Sequence, residues 1–258
     1  MSPSLASPRV LLCGRPDLLR KPGGDTFQIL TLQRALGARA GLSLELAPDV
    51  TGYDVVHLFN LSRPLEPALQ ARVAARAGVP VVTTTIFQDL AVYNARGRRG
   101  VGKAARWLLG GDDERLEDAR AVLNLSRAGA HELLRRPRLT AGLLGHALTS
   151  RGPGAVALQR ELIANSTTLV FNSQLEADSV RRCLGPLPAT QLAEVAPVGI
   201  EPEAFETLDP APFTRRFGIK GFALSLGRIE DLKNQLALVK ALAGLDLGPS
   251  SVRGVVRH

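Results

Sequence analysis

Short apolar segments alternate with helical patterns along most of this 258-residue chain. In Arg9–Cys13 nearly every position is apolar, which predicts a strand buried on both faces. A helical pattern follows, in which apolar residues recur three or four positions apart. These residues are Ile29, Leu32, Leu36 and Ala40. Such alternation is typical of βαβ units, so we expect an α/β fold, a Rossmann-like parallel sheet with helices on both faces.

The same signals predict the remaining elements of the first sheet. Further strands are expected at Leu42–Leu46, Asp54–Phe59, Val79–Thr84, Thr167–Phe171 and Ala193–Ala196. Helices are expected at Pro67–Gly78, Lys103–Leu109, Leu116–Ala130, Gly142–Ala164 and Gln174–Cys183.

A turn-rich segment, Pro197–Phe205, marks the expected domain boundary. Residues 1–200 are predicted to form an N-terminal Rossmann-like domain. Residues 201–258 are predicted to be a linker and the incomplete start of a second Rossmann-like domain, with one βα unit from Phe222 to Leu242. Gly248–Ser251 is a poor start for the next strand, so we expect an altered reading frame or an early stop near the chain end.

The charge of the chain, +8 with a pI near 10.3, raises the question of a nucleic-acid partner. Only five of the 32 basic residues are lysines, so an arginine bias accounts for the high pI. Aromatic residues make up 4% of the chain, which leaves few platforms for stacking bases. We therefore predict no nucleic-acid partner; an anionic substrate or an acidic membrane surface fits the charge equally well.

Targeting signals are weak. No apolar run approaches the length of a bilayer span, and the N-terminus lacks a signal-peptide pattern. Cys13 and Cys183 are predicted to be small buried hydrophobes. These features favour a cytoplasmic protein. The segment Arg96–Leu109 could lie on the acidic inner face of a membrane, although an ordinary surface helix with Trp107 packed inward is favoured.

The segment Phe222–Gln235 has the pattern of a strand, a glycine turn and a helix start. Gly227 permits close approach of the backbone, and Arg228 and Lys233 place two cations beside the positive end of the helix. Because these cations oppose the helix dipole, a bound anion such as a diphosphate is the favoured explanation. The alternative is that both side chains are simply solvated.

A second glycine turn, Gly23–Gly24, lies between the first predicted strand and its helix. Either Asp25 or Thr26 caps the helix, or the two glycines leave its end open to a phosphate or sugar. Neither a Walker lysine nor a dinucleotide fingerprint is present.

Polar residues also follow the predicted strand Val79–Thr84. Gln88 and Asp89 could contact a sugar hydroxyl or a leaving group, whereas the alternative is an ordinary N-cap at Asp89. His57 lies within an apolar strand and is predicted to be a hydrogen-bonded core residue. His131 and His146 have no companion at ligand spacing, so no metal site is expected.

Taken in order, four segments resemble the GT-B glycosyltransferases of the large retaining family four. They are the Gly23–Gly24 loop, Asn172–Ser173 with the helix to Gly185, Val195–Phe205, and Leu224–Gln235.

The resemblance implies two Rossmann-like domains that face a cleft, with the acceptor on the first and the sugar nucleotide on the second. It implies that Arg228 and Lys233 hold the donor diphosphate and stabilise the leaving group. Gly24 would meet the donor phosphates or the acceptor. Members of the family often have a histidine after the fourth strand, where this chain has Gln88 or Asp89, so the resemblance assigns the sugar contact to Asp89. No metal or other cofactor is implied.

The implied activity is transfer of a sugar from a nucleotide diphosphate sugar to a glycan or lipid-linked acceptor, as in polysaccharide biosynthesis. The paired glutamates of the family lie beyond the end of this sequence, so we expect this form to be weakly active or inactive. The alternative is a non-catalytic binding or scaffold module, whose partner supplies the missing donor domain.

Overall fold

The computed structural model describes residues 7–88, 155–199, 209–218 and 233–243, together with Ser225 and Gly227. Described residues up to Gly199 belong to one compact unit, and those from Asp209 onward belong to a second.

The first unit is built on a parallel sheet of six strands. They are β1 (Val10–Cys13), β2 (Ala40–Ser43), β3 (Val55–Phe59), β4 (Val81–Thr84), β5 (Thr168–Phe171) and β6 (Leu192–Val195). Their order across the sheet is β2-β1-β3-β4-β5-β6, and every neighbouring pair is parallel. This confirms the predicted Rossmann-like α/β fold.

Helices connect and cover these strands. In the first unit they are α1 (Gly24–Leu36), α2 (Leu65–Arg76), α3 (Ala155–Asn165) and α4 (Gln174–Leu184). The second unit contains α5 (Ala211–Phe217) and α6 (Gln235–Ala243). None of the helices in the described ranges combines the length and the apolar character that crossing a membrane requires.

Because successive side chains of a strand point to opposite faces of the sheet, the core is divided into two clusters, one on each face. In β1, Leu11 and Cys13 join the cluster that contains residues of α2, α3 and α4. Leu12 points to the other face, where it belongs to a cluster with Ile29 of α1 and Phe59 of β3. Burial raises the pKa of the Cys13 thiol to about 12, as expected for a small core residue. Cys183, in contrast, is only partly buried, against the edge of the larger cluster.

The bounds of α1 and β2 differ from the prediction. The helix ends at Leu36, and Ala40, predicted to be helical, is the first residue of β2. Gly41 lies inside this strand because the Tyr53 hydroxyl occupies the position of a side chain: a Cβ on Gly41 would stand 2.0 Å from Tyr53 Oη. Leu46, predicted to end the strand, is a buried core residue beyond it.

Several predicted elements lie outside the described residues. These are the helices Lys103–Leu109 and Leu116–Ala130, most of Gly142–Ala164, the segment Arg96–Leu109 with its two alternative interpretations, the strand after Phe222 and the chain end from Gly248.

Candidate functional site

The carboxyl ends of the strands place several polar segments along one edge of the sheet. The chain leaves β1 in one direction across the sheet, toward β2, and reaches β4 and β5 in the other. Ligands of such sheets bind in the crevice beyond the strand ends where this direction reverses, which here is between β1 and β3. Gly14 and Arg15 follow β1 at this point, and Asn60 follows β3.

The Gly23–Gly24 turn opens α1 at the same edge. Thr26 Oγ1 accepts a hydrogen bond from Gly23 N at 2.9 Å, and Asp25 Oδ1 accepts one from Thr26 N at 2.9 Å. The N-cap is Gly23, so neither Asp25 nor Thr26 is the capping residue; both lie in the first turn of the helix, where their side chains satisfy part of the helix end. A Cβ on Gly24 would meet nothing within 4 Å, so its exposed backbone is open to a neighbouring group.

A cluster of charged side chains fills the β1/β3 crevice. Arg15 contacts Asp17 at 2.7 Å and Asp25 at 2.8 Å. Arg63 contacts Glu66 at 2.6 Å and Asp17 at 3.5 Å. We call these five residues the charge cluster. Asp17 joins its two halves, because its Oδ1 faces both guanidinium groups.

Burial and pairing act against each other in this cluster. Burial opposes ionisation of Asp25, but hydrogen bonds from Arg15 and Thr26 hold its pKa below the usual value. The pKa of Asp17 is likewise lowered, because Arg15 and Arg63 outweigh the cost of burial. For Glu66, which is 2% exposed, desolvation outweighs the Arg63 charge and raises the pKa.

A cavity of about 10 Å³ remains in the crevice, between Gly14, Arg15, Asn60, Glu66 and neighbouring residues. This is about the space that a single water molecule needs. Asn60 has a φ of +80°, and its buried Oδ1 has no hydrogen-bond donor in the part of the chain that the structure describes. The crevice is therefore polar but almost filled by the protein itself.

No pattern in the sequence singled out Arg15, Asn60 or Arg63. Their position could have identified them, because the carboxyl ends of parallel strands form the ligand edge of the sheet. Arg15 comes two residues after β1, Asn60 comes one residue after β3, and Arg63 follows three residues later.

A second depression lies farther along the edge, beyond β4 and β5. Its volume is about 310 Å³, and we call it the β4–β5 recess. Its described lining consists of Ile86, Phe87, Gln88, Asn172, Ser173, Leu175, Glu176 and Ser179. This volume falls within the range of small-molecule sites.

Glu176 organises the backbone around the recess. Its Oε1 accepts hydrogen bonds from Thr85 Oγ1 and from Phe87 N, and its Oε2 accepts one from Asn172 N at 2.7 Å. Ser173 caps α4 by accepting from Glu176 N at 3.1 Å. One buried carboxylate thus fixes the segments that follow both β4 and β5.

The segment after β4 adopts an unusual backbone. Ile86 has a φ of +40°, which is a rare conformation for a β-branched residue. Ser62 holds it from both sides: its Oγ donates to Ile86 O at 3.1 Å and accepts from Gln88 N at 2.9 Å. Gln88 is exposed beside the recess, whereas Asp89, the predicted sugar contact, lies outside the described residues.

His57 has the core role that its position predicted. Its Nε2 lies 2.8 Å from Thr84 Oγ1, and its ring stacks on Phe59 at 4.4 Å. Desolvation lowers the pKa of this imidazole to about 4, so it is neutral at physiological pH.

In the second unit, the glycine turn and the lysine lie close together. Gly227 has a φ of +152°, and a Cβ built on it would be 3.6 Å from Lys233 Cγ. Both residues are exposed, and Lys233 precedes α6 by two positions. Arg228, the other predicted cation, is not among the described residues.

Within the described ranges, no group of three or more His, Cys, Asp or Glu side chains is arranged to hold a metal ion. The absence of a metal or cofactor remains a prediction.

Together, the sheet and its polar edge define a Rossmann-like α/β protein. Comparison with protein-family models, with curated proteins and with solved structures gave no match to this chain.

Proposed function

We propose that this chain carries sugar-transfer machinery: it moves a glycosyl group from a nucleotide diphosphate sugar to an acceptor hydroxyl. The acceptor oxygen forms a bond to the anomeric carbon while the bond from that carbon to the diphosphate oxygen breaks. The electron pair leaves with the nucleoside diphosphate, and the hydroxyl proton passes to the leaving group or to solvent.

Two features of the first unit support this proposal. Its parallel Rossmann-like sheet is the kind of fold that the resemblance to GT-B glycosyltransferases implies. The Gly23–Gly24 turn lies at the carboxyl edge, where such sheets bind ligands, and Gly24 leaves its backbone uncovered.

The observation that carries the proposal is the pairing of Gly227 with Lys233. The aliphatic stem of Lys233 lies beside the glycine, at 3.6 to 3.8 Å from where a Cβ would stand. With no side chain at residue 227, the turn can approach an anion closely. Lys233 Cε, the carbon that carries the ammonium group, lies 3.8 Å from where that side chain would begin. In the proposed reaction, Lys233 and Arg228 stabilise the negative charge of the departing diphosphate.

Isothermal titration of the full chain with UDP, GDP and ADP tests this role, with Lys233→Met compared against Lys240→Met. Lys240 is an exposed lysine in the last turn of α6 and serves as the matched control. Loss of a charge-assisted hydrogen bond should weaken binding of the preferred nucleotide about tenfold in Lys233→Met. Equal affinities in the two variants, or no nucleotide binding by the unmodified chain, would contradict the proposal.

A second candidate function is a non-catalytic module that pairs with a partner supplying a donor domain. The exposed apolar surface of α6 favours it, since Leu236 is 66% and Val239 46% exposed. Sedimentation velocity over a range of concentrations tests whether this surface associates. Association that Leu236→Glu abolishes, in a chain that binds no nucleotide, would favour the module over the enzyme.

A further inference from the structure

The β4–β5 recess carries an inference about the chemistry of the acceptor. We propose that it binds an uncharged, hydroxyl-bearing group such as a neutral sugar, in preference to the phosphorylated counterpart. Because it names the acceptor class, this inference rests on the proposed function.

The polar groups of the recess suit a hydroxyl, which both donates and accepts a hydrogen bond. Asn172 uses its Oδ1 to accept from Gln28 Nε2 at 2.8 Å, and its Nδ2 has no acceptor among the residues that the structure describes. Ser173 Oγ accepts from the helix backbone, so its own O–H remains available as a donor. Gln88 contributes an exposed amide with both a donor and an acceptor.

The start of α4 borders the recess, and a bare helix end would favour an anion there. Glu176 has already supplied a negative charge at this position. Its buried carboxylate accepts three hydrogen bonds beside the recess, including one from Asn172 N. A phosphate in the recess would be repelled by this carboxylate, and no cationic side chain belongs to the described lining.

Apolar groups complete the lining. Ile86 and Phe87 are partly buried, and Leu175 is 74% exposed. Such side chains can cover the C–H faces of a sugar ring, while the amides and hydroxyls contact its edge. A neutral sugar matches both parts of the recess.

The direct test is a titration of the ¹⁵N-labelled full chain with glucose, galactose, mannose and N-acetylglucosamine, each paired with its 6-phosphate. We expect at least one neutral sugar to shift the amide signals of Gln88, Asn172 and Ser173. Its phosphorylated partner should bind about fivefold more weakly, the scale of one unfavourable charge contact near the surface. Tighter binding of the phosphates, or no shift at these signals with any neutral sugar, overturns the inference.

A charge placed in the recess should reverse the preference. Gln88→Lys is expected to raise the affinity for the sugar phosphate about fivefold while changing that for the neutral sugar little. Thr51→Lys adds the same charge to an exposed turn at the opposite edge of the sheet and should change neither affinity. Equal effects of the two substitutions would mean that the recess is not the site, which overturns the proposal.

These readouts separate the inference from the proposed function. Sugar binding is measured by the amide signals of the recess in the first unit, whereas nucleotide binding is measured by its dependence on Lys233 in the second unit. Selective sugar binding without nucleotide binding would remove the transferase proposal and keep a neutral-sugar recess. Nucleotide binding that depends on Lys233, without selective sugar binding, would keep the transferase proposal and remove the neutral-sugar recess.

Discussion

The charge cluster and the β4–β5 recess lie on the same edge of one sheet but use polar groups in opposite ways. In the cluster, two arginines and three acids contact each other and leave a cavity of about 10 Å³. In the recess, the buried acid Glu176 bonds mainly to backbone N–H groups, and about 310 Å³ stays open.

The difference lies in what each set of charges holds in place. Side chains that pair with one another fill the space between the strand ends, so the β1/β3 crevice is almost closed by the protein itself. A carboxylate that bonds to the backbone fixes the walls of a depression without occupying it. The more open part of the edge is therefore the one with fewer ionisable groups among the described residues.

The strongest test of this contrast is Asp17→Ala. Asp17 faces both Arg15 and Arg63 and is 2% exposed, so its removal leaves two partly buried guanidinium groups with less compensation. We expect a loss of about 3 kcal/mol in the free energy of unfolding, measured by urea denaturation.

The matched control for this change is Asp178→Ala. Asp178 also pairs with an arginine, Arg181, but both side chains are about half exposed. Its loss should cost under about 1 kcal/mol. A similar cost for the two variants would mean that the cluster contributes no more than an ordinary surface ion pair.

A pH titration tests how strongly the region beside the charge cluster is desolvated. His57 is a suitable probe, because it stacks on Phe59, and Phe59 lines the cavity of the crevice. The folded pKa of His57, about 4, lies below the ordinary 6.5, so below pH 6.5 the unfolded chain binds the proton more readily. Above pH 6.5 the imidazole is neutral in both states and does not lower the free energy of unfolding. As the pH drops to 4, the free energy of unfolding falls by about 2 to 3 kcal/mol, allowing for partial exposure of the ring.

Unfolding free energies of the parent chain and His57→Gln between pH 7 and pH 4 check this expectation. The variant should show a shallower decline through that window. Glu66, whose pKa is raised, acts in the opposite direction but is common to both proteins. Parallel curves for the two proteins would show that the imidazole is not desolvated.

Apart from the Asp178 control, the smallest expected effect on stability concerns the recess. Glu176→Gln keeps the shape of the side chain, but an amide nitrogen replaces one carboxylate oxygen and cannot accept from a backbone N–H. Losing such a bond should cost about 1 to 2 kcal/mol by urea denaturation. The amide signals of Phe87 and Asn172 should shift, whereas those around Asp17 should not. Unchanged stability and signals would mean that Glu176 does not organise the recess.

Most of the sheet could be predicted from the sequence, because strands buried on both faces are nearly continuous apolar runs. β1, β3, β5 and β6 each begin within one residue of their predicted starts, and β4 begins two residues later than predicted. β2 begins and ends earlier than predicted, because the spacing of Ala40 assigned that residue to the preceding helix. Gly41 belongs to this strand, and no local pattern contains its contact with Tyr53, twelve positions away.

The site was only partly predictable for the same reason. Gly23, Gly24 and Gly227 stand at turns that local patterns identify, and Lys233 lies beside Gly227; the anion-binding role of these residues stays a prediction. The charge cluster and the recess come from long-range contacts, such as Thr85 with Glu176, 91 positions apart. Asp89 and Arg228 stay predictions, since the structure does not describe them.

The left-handed conformation of Ile86 has a consequence for engineering the protein. This conformation costs a β-branched residue about 1 to 2 kcal/mol of conformational free energy, so it persists only where interactions with neighbouring residues offset the cost. Ser62 and Glu176 supply that restraint, so a peptide that contains only this loop should relax to ordinary extended backbone. Any graft of the loop onto another scaffold would therefore have to carry both restraining side chains with it.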